Sequence, residues 1–372
     1  MGAGPTGSLA ALLLAHQNRC VVLYDPQSPE TLQARSRAYA ITHSSRRLLS
    51  QLGLWDALQD HLIAFERLDL RDLTLGHQVL FLNDDLALRN RGHRAIGWIL
   101  DHRPLMDMLF GRLQQAALVQ LHLGGSTPPA PGQNSLVVAA DGPLSPTRES
   151  WGIRCWFNRY HQGCLTAKVV LRGAKSNQAC ELFRPEGPLA ILPLGKNNFQ
   201  IVWSAPMHRC QERSALPSST FLDQLASVLP PGMEPDLLLD QPKAFTQQWM
   251  LAHRLSHGRG VLIGEAGHRC HPVGGQGLNL CWRDVDVLMR VVKQGGPAAH
   301  VAARYGRKRW IDLILVGLAT DLLVRVFSNR NWFLMVFRNV LLKLLRNNAG
   351  LRQLSLKAMT DGPMQIWRAL PD

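Results

Sequence analysis

The first seven residues, Met1-Gly2-Ala3-Gly4-Pro5-Thr6-Gly7, place glycines at the spacing G-x-G-x-x-G. An alanine- and leucine-rich segment, Ser8 to His16, follows at once and reads as a helix. Cys20-Val21-Val22-Leu23-Tyr24 then reads as a buried strand ending at Asp25. Glycines at this spacing allow a tight turn and let backbone N–H groups approach a pyrophosphate at the helix N-terminus. Asp25 stands 25 − 7 = 18 residues after the last glycine, near the spacing of roughly 20 at which an acid grips the adenosine ribose. The glycines alone are a weak signal. Followed by helix, strand and acid, they predict a Rossmann-like parallel sheet with helices. Only Met1 precedes Gly2, where such a fold places its central strand, so the first strand is expected to be missing. Either the start lies upstream, the reading favoured here, or the sheet exposes the edges of two neighbouring strands.

Two distant stretches extend the pattern. Val261-Leu262-Ile263 reads as a short buried strand and runs into Gly264-Glu265-Ala266-Gly267-His268-Arg269-Cys270-His271-Pro272-Val273-Gly274-Gly275-Gln276-Gly277-Leu278-Asn279-Leu280. A helix is predicted from Cys281 to Val292. The acid can accept hydrogen bonds from a ribose or ribityl hydroxyl, and the glycine-rich helix start favours negative charge. Alone, this could be a structural loop capped by glycine. The second stretch, Leu136 to Arg148, is a strand that meets Asp141-Gly142, a turn and then a basic residue.

With the three stretches in this order, the chain resembles the FAD-dependent aromatic-ring hydroxylases built like p-hydroxybenzoate hydroxylase. It is most similar to those of ubiquinone biosynthesis. Tyr160-His161-Gln162-Gly163-Cys164, Glu181 to Leu194 and Ile201-Val202-Trp203 carry the narrower likeness, which extends from Gly2 to about Gly362. It implies an FAD-binding domain made of 1–67, 101–150 and 255–310. It also implies a mainly antiparallel β-sheet substrate domain of 68–100 and 151–254, and a helical C-terminal region, 311–372. By resemblance the cofactor is held by Gly2, Gly4, Gly7, Asp25, Asp141, Gly142, Gly264, Glu265, Gly275, Gln276, Gly277 and Asn279. Arg37, within R-x-x-A-I, and Arg103, at a strand–helix junction, would approach it as cations. Pro272 would adjoin the flavin, where the loop stabilises charge on the reduced ring. Glu265 departs from the aspartate of the family, and the segment 124–134 is shorter than the usual hairpin.

No side chain in the sequence can make dioxygen electrophilic, so that chemistry falls to the flavin. The resemblance supplies the sequence of events. NADH or NADPH reduces FAD, oxygen adds to give a flavin hydroperoxide, and that species hydroxylates an electron-rich phenol ring. A prenylated phenol or quinone precursor is the implied substrate, with dioxygen as co-substrate. Other readings are another FAD oxidoreductase of this fold, or a non-catalytic assembly protein of a quinone-biosynthesis complex. The W-x-W-x-I-P motif of flavin halogenases does not occur.

Composition narrows the partners. Seven cysteines without a C-x-x-C pair suggest reduced thiols in a cytoplasmic protein. His268, Cys270 and His271 lack a further ligand at metal spacing, so no metal is expected. The net charge is 41 − 27 = +14, yet no nucleic-acid module accompanies it. The C-terminal region offers another partner. Ile311, Leu315, Leu318, Leu322 and Val326 recur at helical spacing, with Asp321 and Arg325 interrupting any membrane span. Trp332 to Leu345 reads as a basic amphipathic helix with interfacial aromatics. Peripheral association with the cytoplasmic membrane is expected from this pattern, with packing against the core as an equal alternative.

Overall fold

Alternating apolar residues in the middle third build a nine-stranded sheet. Its order runs His268–Arg269, Lys243–Ala252, Cys155–Arg172, Asn198–Pro206, Leu189–Gly195, Gln178–Phe183, Arg67–Asp72, His77–Leu82, with Glu234–Leu238 also paired to Cys155–Arg172. The computed structural model describes residues 1–125, 130–271, 273–327 and 332–362. All pairs in this sheet are antiparallel except Gln178–Phe183 with Arg67–Asp72. Successive side chains in a strand point to opposite faces. Leu165, Ala167, Cys180, Leu182, Ile191, Ile201 and Trp203 therefore share one face, packed against Phe221 and Leu225 of the helix Ser218–Ala226. The residues between them, Cys164, Ala179, Glu181, Phe183, Ala190, Leu192 and Val202, share the other.

The cofactor half is a second, interrupted sheet. Val21–Asp25 pairs in parallel with Val119–Leu123, and Val137–Ala139 pairs in parallel with Gly260–Leu262. Between these pairs, where the central strand is expected, lie only Met1 to Ala3. The Met1 amino group donates to Val138 O at 2.9 Å, Gly2 N–H to Tyr24 O at 2.7 Å, and Ala140 N–H to Met1 O at 2.7 Å. These bonds join two half-sheets, and Val22 beyond them is 45% exposed.

Helices close the cofactor half. Pro5–His16 and Gln276–Lys293 meet through an apolar core that includes Leu9, Trp282, Val285 and Leu288, all fully buried. Two of the sequence boundaries shift. Ala298–Phe327 is a single helix, so no break separates the cofactor domain from the C-terminal region at 310/311. Its buried face runs through Tyr305, Leu313 and Val316, with the paired Arg309 and Asp312 buried between them. Gly97–Asp101 pairs with Ala38–Ile41 and Leu62–Phe65 in a three-stranded antiparallel sheet, so it does not continue the large sheet.

The helices Trp332–Asn347 and Ala349–Asp361 are tied down by buried ion pairs. Arg338 meets Asp72 at 2.6 Å, and Arg352 meets Asp85 at 3.1 Å. Asp361 meets Arg89 at 2.9 Å and also pairs with Arg47. Apolar residues stay exposed on two helices: Ile311, Leu315, Leu318 and Leu322 on Ala298–Phe327, and Trp332, Val336, Phe337, Val340 and Leu344 on Trp332–Asn347. No described helix is long and apolar enough to cross a membrane.

Candidate cofactor and substrate site

The three distant stretches converge at the N-terminus of Pro5–His16. Ile263 N–H donates to Ala139 O at 2.9 Å, which sets the second and third stretches side by side. A Cβ on Gly264 would lie 3.1 Å from Thr6 Cγ2, which brings in the first. Arg148 ties them, donating to Ala266 O at 2.8 Å and to Pro143 O at 3.0 Å. In the fingerprint, Gly2 and Gly7 are required by packing. A Cβ would fall 2.3 Å from Ala140 O at Gly2, and 1.9 Å from Gly2 O at Gly7. Gly4 is different, since a Cβ there meets no atom within 4 Å. That space faces the helix start, where no side chain caps the first N–H groups.

The two acids of this half also serve the backbone. Asp25 accepts from Ala3 N–H at 2.8 Å and Gln27 N–H at 2.9 Å. Asp141 accepts from Ser145 Oγ at 2.5 Å and Thr147 N–H at 3.0 Å, while Gly142 turns the chain at φ +88°.

The 264–279 loop is braced from beneath by a carboxylate. Asp284 Oδ2 accepts from Gly264 N–H and His268 Nε2, both at 2.6 Å, and Oδ1 accepts from Arg309 Nε at 2.7 Å. Burial favours the neutral acid, but His268 and Arg309 outweigh it and hold the Asp284 carboxyl below its ordinary value. Gly275 sits at φ +62° with the Ala40 Cβ where its own would be, at 2.8 Å, and Gly277 faces open space. Gln276 donates to Gly274 O and Met359 O and accepts from Arg283. Asn279 is a buried hub. Its amide donates to Ala40 O and Gly275 O, and its oxygen accepts from Thr42 N–H, Thr42 Oγ1 and Ser45 Oγ. With all its polar atoms engaged by protein, Asn279 acts on the site by holding the loop. Pro272 lies outside the described residues.

Arg37 leads into the strand Ala38–Ile41, and its guanidinium lies 5.8 Å from the centre of the Tyr39 ring. Arg37 is exposed to solvent. Burial would lower its pKa, but Tyr39 and Glu265 more than offset this, so it stands above the ordinary arginine value. Arg37 and Glu265, read separately from sequence, are thus brought within electrostatic reach. Arg103 is not brought there. It sits on the first turn of His102–Gln115, 79% exposed, 3.9 Å from Asp107. Among the described residues no group of three or more His, Cys, Asp or Glu could hold a metal ion.

Asp284 and Arg309 escaped the sequence reading, and Arg148 reads there only as the basic residue after a turn. Asp284 had a signal, because it interrupts the apolar face Leu280–Leu288 at i+4 from each, where an acid has to be paired.

These residues fit FAD. The helices Pro5–His16 and Gln276–Lys293 both start at glycines without a side-chain cap, and Trp282 Nε1–H donates to Pro5 O at 3.3 Å, joining the two starts. Paired positive helix ends beside the open space at Gly4 and Gly277 suit a diphosphate and an electron-rich ring.

Comparisons with known proteins agree. Residues 133–295 match the family described as FAD binding domain. Ubiquinone hydroxylase UbiL of Rhodospirillum rubrum is 33% identical, over 88% of this chain and 81% of its own. The 3-demethoxyubiquinol 3-hydroxylase of Escherichia coli is 27% identical, over 96% of each. The crystal structure of p-nitrophenol 4-monooxygenase from Pseudomonas putida superposes with a TM-score of 0.76 at 16% identity, over 97% of this chain and 96% of that one. The chain belongs to the FAD-dependent aromatic-ring hydroxylases of the ubiquinone-biosynthesis family, monooxygenases that carry FAD and take their electrons from NADH or NADPH.

Proposed function

We propose that this protein hydroxylates the aromatic ring of a prenylated phenol or quinone precursor, in the biosynthesis of ubiquinone or a related quinone. The observation that carries the reading is the inner face of the nine-stranded sheet. Leu70, Leu192 and Val202 are half-buried there, on the side turned toward the 273–279 loop. An apolar wall opposite a flavin loop suits an uncharged ring, and excludes water from it.

When bound, FAD would be held by the Gly2–Gly7 turn, the Asp141–Gly142 turn, Glu265 and the 273–279 loop, and would supply the activation of dioxygen. The chain's own residues then bind, orient and shield. Arg37 and the uncapped helix ends supply positive potential, and the sheet supplies the apolar wall. A prenyl tail requires access from a bilayer. The exposed apolar residues of Ala298–Phe327 and Trp332–Asn347, flanked by exposed Arg307, Lys308, Lys343 and Arg346, favour a peripheral position on an anionic membrane surface. This brings the substrate's tail to the C-terminal side of the sheet.

The test is turnover of a short-chain prenylated phenol with FAD, NAD(P)H and ¹⁸O₂. One labelled oxygen in the ring product is the expected result. NAD(P)H consumption yielding only peroxide across a panel of such phenols would overturn the reading.

A further inference from the structure

Glu181 lies in the strand Gln178–Phe183 with its side chain on the inner face of the large sheet. Its cross-strand neighbours are Ala190 and Leu70, and Ala179 and Phe183 flank it on the same face. On that face, with Cys164, Ala179, Phe183, Ala190, Leu192 and Val202, lie two buried carboxylates: Asp72, which Arg338 pairs, and Glu181, only 8% exposed. The cofactor loop comes within electrostatic reach of it, since the Gly274 backbone acts on its carboxyl. A buried acid without a cationic partner is costly to keep unless it serves the site. The structural roles found for the other buried acids do not extend to it. Asp69, Asp72, Asp85, Asp284, Asp312 and Asp361 all meet an arginine, and Asp25 accepts two backbone N–H groups.

We propose that Glu181 is the acid–base group of the hydroxylation, its carboxylate accepting the proton of the substrate's ring hydroxyl. The inference rests on the chain being a phenol hydroxylase. As oxygen is delivered to the ring, a π-electron pair of the ring forms the new C–O bond and the phenol O–H electrons move in to replace it. The phenol proton passes to Glu181. The ring carbon then loses its hydrogen as a proton to solvent, aromaticity returns, and Glu181 gives its proton back to the ring oxygen. NAD(P)H supplies the two electrons, one oxygen atom enters the ring, and the other leaves as water.

The local electrostatics suit a base working near neutrality. Burial pushes the Glu181 carboxyl up to about 7, with the Gly274 backbone pulling it down. Cys164 and Cys180 lie within its electrostatic reach, and burial raises both thiols, Cys164 to about 12, so both are neutral. On the cofactor side, Arg37 lies within electrostatic reach of Cys164. On the C-terminal helices, Arg338 and Asp361 are each neutralised by partners of opposite charge.

The experiment compares the FAD-loaded parent with Glu181→Gln and Glu181→Asp. For the parent, kcat/KM falls on the acid side of neutrality as Glu181 is protonated. Glu181→Gln loses that limb and falls at least about thirtyfold with KM little changed, and Glu181→Asp recovers part of the rate. A second readout needs no turnover. The phenolate band of 4-nitrophenol, titrated against each protein at about pH 7.5, is retained on binding beside the carboxylate, which takes up the proton, and is lost in Glu181→Gln. Equal band changes in both proteins, or an unaltered acid limb in Glu181→Gln, overturn the proposal. Should Glu181→Gln unfold, proton uptake by the parent on binding the phenol decides, and no uptake overturns it. A parent that binds no phenol and hydroxylates none defeats the broader functional reading, whereas a parent and Glu181→Gln that turn over alike defeat only this one.

Discussion

The Asp284 carboxylate accepts the backbone N–H of Gly264 at 2.6 Å, so a side chain on the second helix fixes the first residue of the cofactor loop. The same carboxylate neutralises Arg309, which is itself sealed from solvent and also pairs with Asp312. Asp284→Ala removes the acceptor and leaves Arg309 half-paired in the core. A buried ion pair broken on one side costs about 3–5 kcal/mol. Urea unfolding is expected to show a loss of that order, together with reduced FAD retention. An unchanged midpoint would mean that the network contributes nothing net.

Glu265 is expected to bind a hydroxyl of FAD in the place where the family has aspartate. A hydrogen bond to a charged acceptor contributes about 1.5–3 kcal/mol, so Glu265→Ala is expected to weaken FAD about ten- to a hundredfold. Glu265→Gln loses less, and Glu265→Asp retains binding. Flavin fluorescence on apoprotein of the four forms measures this. Equal affinity of Glu265→Ala and the parent removes Glu265 from the ligand set.

His43 predicts an acid-sensitive window. It is fully buried, its Nε2–H donates to Ala95 O at 2.9 Å, and its ring meets Trp98 edge-on at 5.0 Å. Burial holds its pKa down at about 4 against an ordinary 6.5. The folded state therefore binds fewer protons than the unfolded state between those values, and stability falls as pH drops through the window. The slope is about 1.4 kcal/mol per pH unit at most. Urea midpoints at pH 7 and pH 5 are expected to differ more in the parent than in His43→Gln, whose neutral side chain cannot titrate. Identical differences would assign the window to another group.

The apolar stripes of the C-terminal helices predict binding to anionic vesicles. Phe337 and Val340 are half-exposed and make no part of the described core, so Phe337→Glu with Val340→Glu is expected to leave the melting temperature within about 1 °C, as surface changes do. Co-sedimentation with phosphatidylserine vesicles is expected to fall severalfold. It is also expected to weaken as salt rises, at about 1 kcal/mol per basic residue near the surface at low salt. Parent protein that stays in the supernatant at low salt would defeat the membrane reading.

Much of the cofactor half was legible in the sequence because its requirements are local. A strand, a glycine at positive φ and an acid at a strand end are set by neighbouring residues, as at Gly142 and Gly264. What holds these loops together was not local. Arg148 reads as an ordinary turn residue until its contact with Ala266, 118 positions away, is in view. Asn279 reads as a ligand because amides at a helix start often are, and only the fold shows Thr42 and Ser45 filling its oxygen. Glu181 sat inside a quoted stretch without distinction, since a strand's alternation does not say which face looks onto a cofactor. The helix Ala298–Phe327 crosses the expected boundary at 310/311, with Arg309 and Asp312 buried there as a pair.

The three backbone hydrogen bonds made by Met1 and Gly2 have a consequence for cooperativity. Among the described residues they run from Tyr24 on one half-sheet to Val138 and Ala140 on the other. The pair Val21–Asp25 with Val119–Leu123 and the pair Val137–Ala139 with Gly260–Leu262 are thus expected to meet through this seam, the first at the proposed adenosine end and the second at the proposed flavin end. Amide hydrogen exchange registers such units as separate opening free energies. The Gly2 and Ala140 amides report the seam itself. A dinucleotide lying across both units then does more than fill a groove, because it couples their opening and makes two foldons exchange as one.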